Sequence, residues 1–160
     1  MSYFDEESRR RFIPHIVETS VGVARMMLAF IDNAFIKEKL IKNNSDGSQS
    51  EDERVVLKLD YRLSPIKVAI LPLFKKDGMS EKAKEIFNNI RKAYQAEYDE
   101  SGSIGKRYRR QDEIGTPFCI TIDHDTMSNN TITIRNRDDM TQDRIEIIEL
   151  QNYLREKLGF

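Results

Sequence analysis

Glu18, Ser20, Gly22 and Arg25 fall close together inside IPHIVETSVGVARMMLAF, a run that is otherwise largely apolar. An isolated charge in an apolar interior is expensive, so these groups either pair with one another or meet a ligand. Residues 13–17 are short and β-branched, which predicts a buried strand. A helical pattern starts near Gly22. Ser20 and Gly22 would then lie at a strand-to-helix turn, where free N–H groups and the positive end of the helix dipole suit a phosphate. Arg25, in the first turn, can point at the same anion. Glu18, at the strand end, can hold a cationic amine, and glycine at 22 lets a ligand approach the backbone. A site for a zwitterion beside a phosphate is one reading. An internal Glu18–Arg25 pair at the edge of a core is the other, and the spacing admits both.

Two more clusters could carry chemistry. GKRYRRQDE, residues 105–113, sets Lys106, Arg107, Arg109 and Arg110 around Tyr108 on one short helix. Bases interleaved with an aromatic suit phosphate contact and base stacking. Asp112 and Glu113 follow at once, so a solvated face with i,i+4 pairs fits equally. RNRDD, residues 135–139, alternates Arg135 and Arg137 with acids at a strand end. Those arginines either read base edges or pair at the surface. Nucleophile arrangements are poor, because Cys119 sits in an apolar strand and reads as core. There is no Walker A loop and no G-x-G-x-x-G. Cys119, His15 and His124 lack zinc-ligand spacing, so no metal is expected.

These groups need elements to hold them. Val23, Met26, Met27, Phe30, Ile31 and Ala34 recur at helical spacing. Residues 42–53 read as a polar exposed loop. RVVLKLDYRL has strand character, with Val55, Leu57 and Leu59 on one face. The composition changes near residues 60–65, where a domain boundary is placed. Residues 66–71 form an apolar strand stopped by Pro72, and Ser80 is the expected N-cap of the next helix. That helix runs through EKAKEIFNNIRKAYQAEY, with Ala83, Ile86, Phe87, Ile90 and Tyr94 as its stripe. The basic helix closes at Gly115. TPFCITID and NTITIRN are strands joined by the turn HDTMSN. RIEII alternates like an edge strand, while Ile147, Leu150, Leu154 and Leu158 fit a helix, placed over residues 148–158. The order implies an α/β fold, a mixed β-sheet flanked by helices.

At 160 residues the chain holds one ordinary domain, or one plus a fragment. Its net charge of -1 excludes a generic polybasic binder but not a local basic patch. A lone cysteine excludes an internal disulfide and suits a reducing, cytoplasmic compartment. The first residues lack the apolar core of a secretion signal, and no run approaches the roughly 20 apolar residues of a membrane span. No membrane partner is expected.

IPHIVETSVGVAR resembles the third signature motif of class II aminoacyl-tRNA synthetases, in the form found in dimeric glycyl-tRNA synthetases. RVVLKLDYRLSPIKVAILPL, GSIGKRYRRQDEIGTPFCITID and TITIRNRDDMTQDRI are similar to the anticodon-binding domain of that family. The resemblance implies residues 1–62 as the end of the catalytic domain and residues 63–160 as the anticodon binder. It implies that Glu18, Thr19, Ser20, Val21 and Gly22 enclose glycine, and that Gly22, Val23, Ala24 and Arg25 bind ATP, with Arg25 catalytic. It places Arg107, Arg110, Arg135 and Arg137 against the anticodon stem-loop of tRNA(Gly). ATP with Mg2+ is then a substrate of the full enzyme, with nothing bound by the anticodon domain, and the full enzyme is a homodimer. The family's first two motifs are not in these residues. The chain is therefore expected to be the C-terminal portion of a longer enzyme, inactive alone in glycine-dependent pyrophosphate exchange. The alternative is a non-catalytic nucleic-acid-binding module, as in the polymerase accessory subunit that shares this architecture. Sister synthetases for histidine, proline or threonine share the domain fold. The Glu-x-Ser spacing and the RYRRQDEIG run disfavour them.

Overall fold

A computed structural model of the chain describes residues 2–43 and 49–159. It opens on a small antiparallel hairpin of β1 (Tyr3–Asp5) and β2 (Arg10–Phe12), whose Tyr3 and Phe12 rings meet edge to face at 5.6 Å. Residues 13–22 follow with neither strand nor helix. The strand expected at 13–17 does not form. A β-branched run becomes a strand only where a partner takes its N–H and C=O groups. No described strand pairs with this one, and Val17 is 98% exposed. The expected helix is present as α1 (Val23–Ala34), but its apolar stripe is nearly uncovered: Val23, Met26, Met27 and Phe30 are exposed and only Ala34 is buried.

The polar stretch over 42–53, expected as a loop, instead belongs largely to a long hairpin. β3 (Phe35–Asn43) pairs antiparallel with β4 (Gln49–Leu57) in one unbroken register; residues 44–48 of that expected loop lie outside the described residues. Charge alternation supports the strands. Lys37–Glu53 at 3.5 Å and Lys39–Glu51 at 3.3 Å are diagonal cross-strand pairs on the open face. The other face packs on the body of the protein. That reverses the expected phase of β4, because Arg54 and Val56 are buried while Val55 and Leu57 are only half-buried. A buried arginine hides the strand's inner face from an apolar reading.

The body is a five-stranded sheet. Its elements are β5 (Val68–Pro72), α2 (Met79–Ile90), β6 (Ala96–Tyr98), α3 (Ile104–Ile114), β7 (Phe118–Ile122), α4 (His124–Asn129), β8 (Thr131–Asn136), β9 (Gln142–Glu146) and α5 (Leu150–Leu158). The strand order is β6-β5-β7-β8-β9, with β6, β5 and β7 parallel and the remaining pairs antiparallel. This is the expected mixed sheet. Residues 68, 70, 118, 120, 132 and 134 face a core closed by α2 and α5, whereas Ala69, Leu71 and Cys119 face α3. Burial pushes the Cys119 thiol up to about 12, consistent with core packing rather than reactivity.

Four local expectations are revised. Helix α2 stops at Ile90 rather than running on to residue 98, because residues 96–98 pair with β5. Pairing overrides helix propensity there, and Tyr94 still packs on the core from a turn. The N-cap of α2 is Gly78, at φ 77°, while Ser80 donates to Glu100 Oε2 at 3.1 Å. The turn HDTMSN is a short helix, α4, closed by a capping box between Asp123 and Thr126. The tail holds both readings in succession, since β9 covers 142–146 and a 3-10 turn (Ile147–Glu149) leads into α5.

Candidate nucleic-acid interface

Residues 18–22 are extended and exposed, and Gly22 caps α1 through its carbonyl, which accepts from Met26 N–H at 3.0 Å. Gly22, Ala24 and Arg25 line one open depression with Leu28. Among the described residues, neither Glu18 nor Arg25 has a hydrogen-bond or ion-pair partner. The internal pair is therefore not formed. Thr19, Ser20, Val21 and Val23 are equally exposed, and no contact draws Glu18 or Ser20 toward Arg25.

The arginines expected to face RNA divide sharply. Arg107 is 3% exposed and lies under α3, where it donates to the carbonyls of Pro72, Leu73 (3.3 Å) and Asp99 (3.4 Å). Burial lowers its pKa, and its Nε is buried without a partner. Arg135 is held bidentately by Asp112, at 2.8 and 3.1 Å, with its guanidinium 4.9 Å from the centre of the Tyr108 ring. Arg137 donates to the carbonyls of Gly115 and Leu59, each at 2.7 Å, and to the Asp138 carboxylate at 2.8 Å. These three are internal, which corrects the expectation that they face the stem-loop. Loop carbonyls around the sheet need donors, and a buried guanidinium supplies several in fixed geometry.

Arg110 behaves differently. It is partly exposed, at 45% of its side chain, and bridges Asp99 and the Ser101 carbonyl from the surface of α3. Lys106 on the same helix is exposed. Arg109 turns the other way, to Asp52 at 2.6 Å and the Glu53 carbonyl, and so ties α3 to β4.

Two residues that the local patterns passed over organise this region. Arg54 and Asp112 are each 1% exposed and meet at 2.8 Å. Arg54 also donates to Glu38 at 2.7 Å and to the Arg137 carbonyl. Burial alone would raise the Asp112 pKa, but hydrogen bonds from Arg54 and Arg135 outweigh it and hold the carboxyl below the usual range. In sequence Asp112 looked like a local neutraliser of its own helix. Its partners are 58 and 23 residues away, and no local spacing signals them.

Several exposed cations lie near one end of the sheet. From β5 the chain crosses over α2 to β6 on one side, then over α3 to β7 on the other, with the two helices on opposite faces. Such a reversal leaves a crevice outside the carboxyl ends of the strands, where α/β folds take ligands. Lys75, Lys76, Lys106 and Arg110 are exposed on the segments at or near that end. Asp99 and Asp123, the acids next to the strand ends, are paired with Arg110 and Arg144.

Residues 67–157 match the family model described as an anticodon binding domain. The chain is 48% identical over 159 residues to a glycine–tRNA ligase of Thermobifida fusca, covering 99% of this chain and 34% of that protein. It is 49% identical over 158 residues to a glycine–tRNA ligase of Corynebacterium efficiens, covering 99% of this chain and 33% of that one. The chain thus spans about a third of the length of the curated relatives it matches. Among solved structures, it is similar to the RNA binding domain of threonyl-tRNA synthetase from Cryptosporidium parvum. The TM-score is 0.56 at 22% identity, over 62% of this chain and 25% of that one. That likeness is one of fold.

Proposed function

The chain belongs to the anticodon-binding domain family, and from that premise we propose that it recognises the anticodon of tRNA(Gly) as part of a glycine–tRNA ligase. The observation that carries the reading is near-half identity to glycine–tRNA ligases along almost the whole chain. The reaction joins glycine to ATP as an adenylate with release of pyrophosphate, then passes the glycyl group to tRNA.

Within that reading the roles divide by position. Glu18, with Thr19, Ser20, Val21 and Gly22, closes around glycine, where an acid pairs with the ammonium and little space is left for a side chain. Gly22, Val23, Ala24 and Arg25 meet ATP, which enters with Mg2+, and Arg25 offsets charge developing on the phosphates. Supporting this are the exposure of the segment and the unpartnered state of Glu18 and Arg25. The uncovered apolar face of α1 is the surface that the rest of a catalytic body, and the homodimer, would cover.

RNA is met at the carboxyl ends of the parallel strands. Arg110 stays in the contact set, joined by Lys75, Lys76 and Lys106. Arg107 acts from beneath by holding the loop after β5, and Arg135 by anchoring α3 through Asp112, while Arg137 braces the opposite end of the sheet. No described helix is long and apolar enough to cross a membrane, and the proposed location is the cytoplasm, where tRNA is charged.

Filter binding tests the reading. Glycine tRNA should bind more tightly than the same tRNA with its anticodon replaced, with an affinity that falls steeply as salt rises. Equal binding of both RNAs would remove anticodon recognition.

A further inference from the structure

The register of the parallel strands brings two rings together at the RNA-facing end. Pro72 and Ile122 are paired at the ends of β5 and β7, and Leu73 N–H donates to the Ile122 carbonyl at 2.7 Å. Phe74 and His124 each lie two residues beyond that pair, so they leave the sheet side by side. Their rings are 5.7 Å apart, inclined at 42°. Phe74 is 45% exposed and His124 is exposed. An exposed phenyl ring beside an exposed imidazole contributes nothing to the core. Lys76 Nζ stands 5.8 Å from the centre of the Phe74 ring. Asp123 and Asp125 flank His124, but Arg144 pairs with both. Lys75 and Asp77, the other charges of the loop after β5, are exposed and opposite in sign.

We infer that Phe74 and His124 form a stacking platform for one unpaired base of the bound RNA, with Lys76 placed for the adjoining phosphate. Bases splayed out of a hairpin loop stack on aromatic faces, and a neighbouring cation meets the backbone. The platform lies at the carboxyl ends of β5 and β7, on the same end of the sheet as Lys75, Lys76 and Lys106. The inference rests on the anticodon-binding reading and assigns within it the residues that take a base.

The chain has no tryptophan, so Phe74→Trp creates a lone fluorescent reporter at the platform. The probe is a short RNA hairpin carrying the anticodon loop of a glycine tRNA, with the same stem closed by a tight tetraloop as the control. Phe74→Ala and His124→Ala should each weaken binding of the anticodon hairpin roughly tenfold, the scale of losing one stacked base, with unchanged thermal melting. The Phe74→Trp emission should be quenched by the anticodon hairpin and not by the control. Parent-like affinity in either alanine variant, or unquenched emission from Phe74→Trp bound to the hairpin, overturns the platform while anticodon binding stands. Failure of the parent chain to bind the anticodon hairpin overturns the anticodon reading, and the platform falls with it.

Discussion

Asp112 joins two buried arginines from different strands. It neutralises Arg54 from β4 and Arg135 from β8 inside the protein. Removing one member of a buried ionic network strands the others, at a cost of about 3–5 kcal/mol. Asp112→Ala should lose that much in denaturant unfolding. The pH dependence has a definite sign. The folded-state pKa of Asp112 is depressed, so its contribution is complete above the unfolded value of about 4 and is lost as pH falls through the lower folded value. Asp112→Asn should therefore be less stable at neutral pH and show a flatter acid limb. Arg137 and Arg110 separate a buried structural arginine from a surface one proposed to meet RNA. Arg137→Ala strips donors from three buried partners and should lower the melting temperature. Arg110→Ala should leave melting nearly unchanged and weaken RNA binding, as a salt titration with a shallower slope would register. In sequence these arginines were alike, basic residues near acids. Only their partners tell them apart: Arg110 meets Asp99 and Ser101 at the surface, whereas Arg137 reaches buried groups 22 to 78 residues away.

Elements were legible where local pattern and tertiary pairing agree. The stripe of α1, the αL glycine closing α3 and the apolar strands β5, β7 and β8 carry their signals in short windows. The hairpin of β3 and β4 did not, because residues 42–53, polar and without an apolar side chain, read as an exposed loop until the two strands face each other across a register. Residues 13–17 show the reverse failure, a strand-like run without a strand to pair with. Gly115 joins hairpin to helix. It sits at φ 82°, and a Cβ there would lie 2.9 Å from the Leu57 carbonyl oxygen. Gly115→Ala should cost more than the roughly 1–2 kcal/mol of a left-handed alanine alone, measured by thermal unfolding. Gly105, also on α3, has nothing within 4 Å of such a Cβ. Gly105→Ala should stabilise by about 0.5–1 kcal/mol, so the two substitutions on one helix are predicted to differ in sign.

At the scale of the whole molecule, the mixed sheet and its helices were readable from the order of strands and helices, and the family from the motifs that run through them. The proposed RNA interface was not. Its cations come from loops after β5 and from α3, and the crevice exists only once crossovers pass to opposite faces of the sheet. Residues 18–25 were recognisable as a possible site from their chemistry, yet they stand open beside an uncovered helix face. This chain alone should support no glycine-dependent pyrophosphate exchange. The role proposed for it is recognition of the glycine anticodon. Transplanting that anticodon into the body of an alanine tRNA, and measuring the affinity of the chain for it by filter binding at fixed salt, tests this most directly. The transplanted tRNA should bind nearly as tightly as glycine tRNA and well above unaltered alanine tRNA. A transplant that binds no better than unaltered alanine tRNA would contradict anticodon recognition.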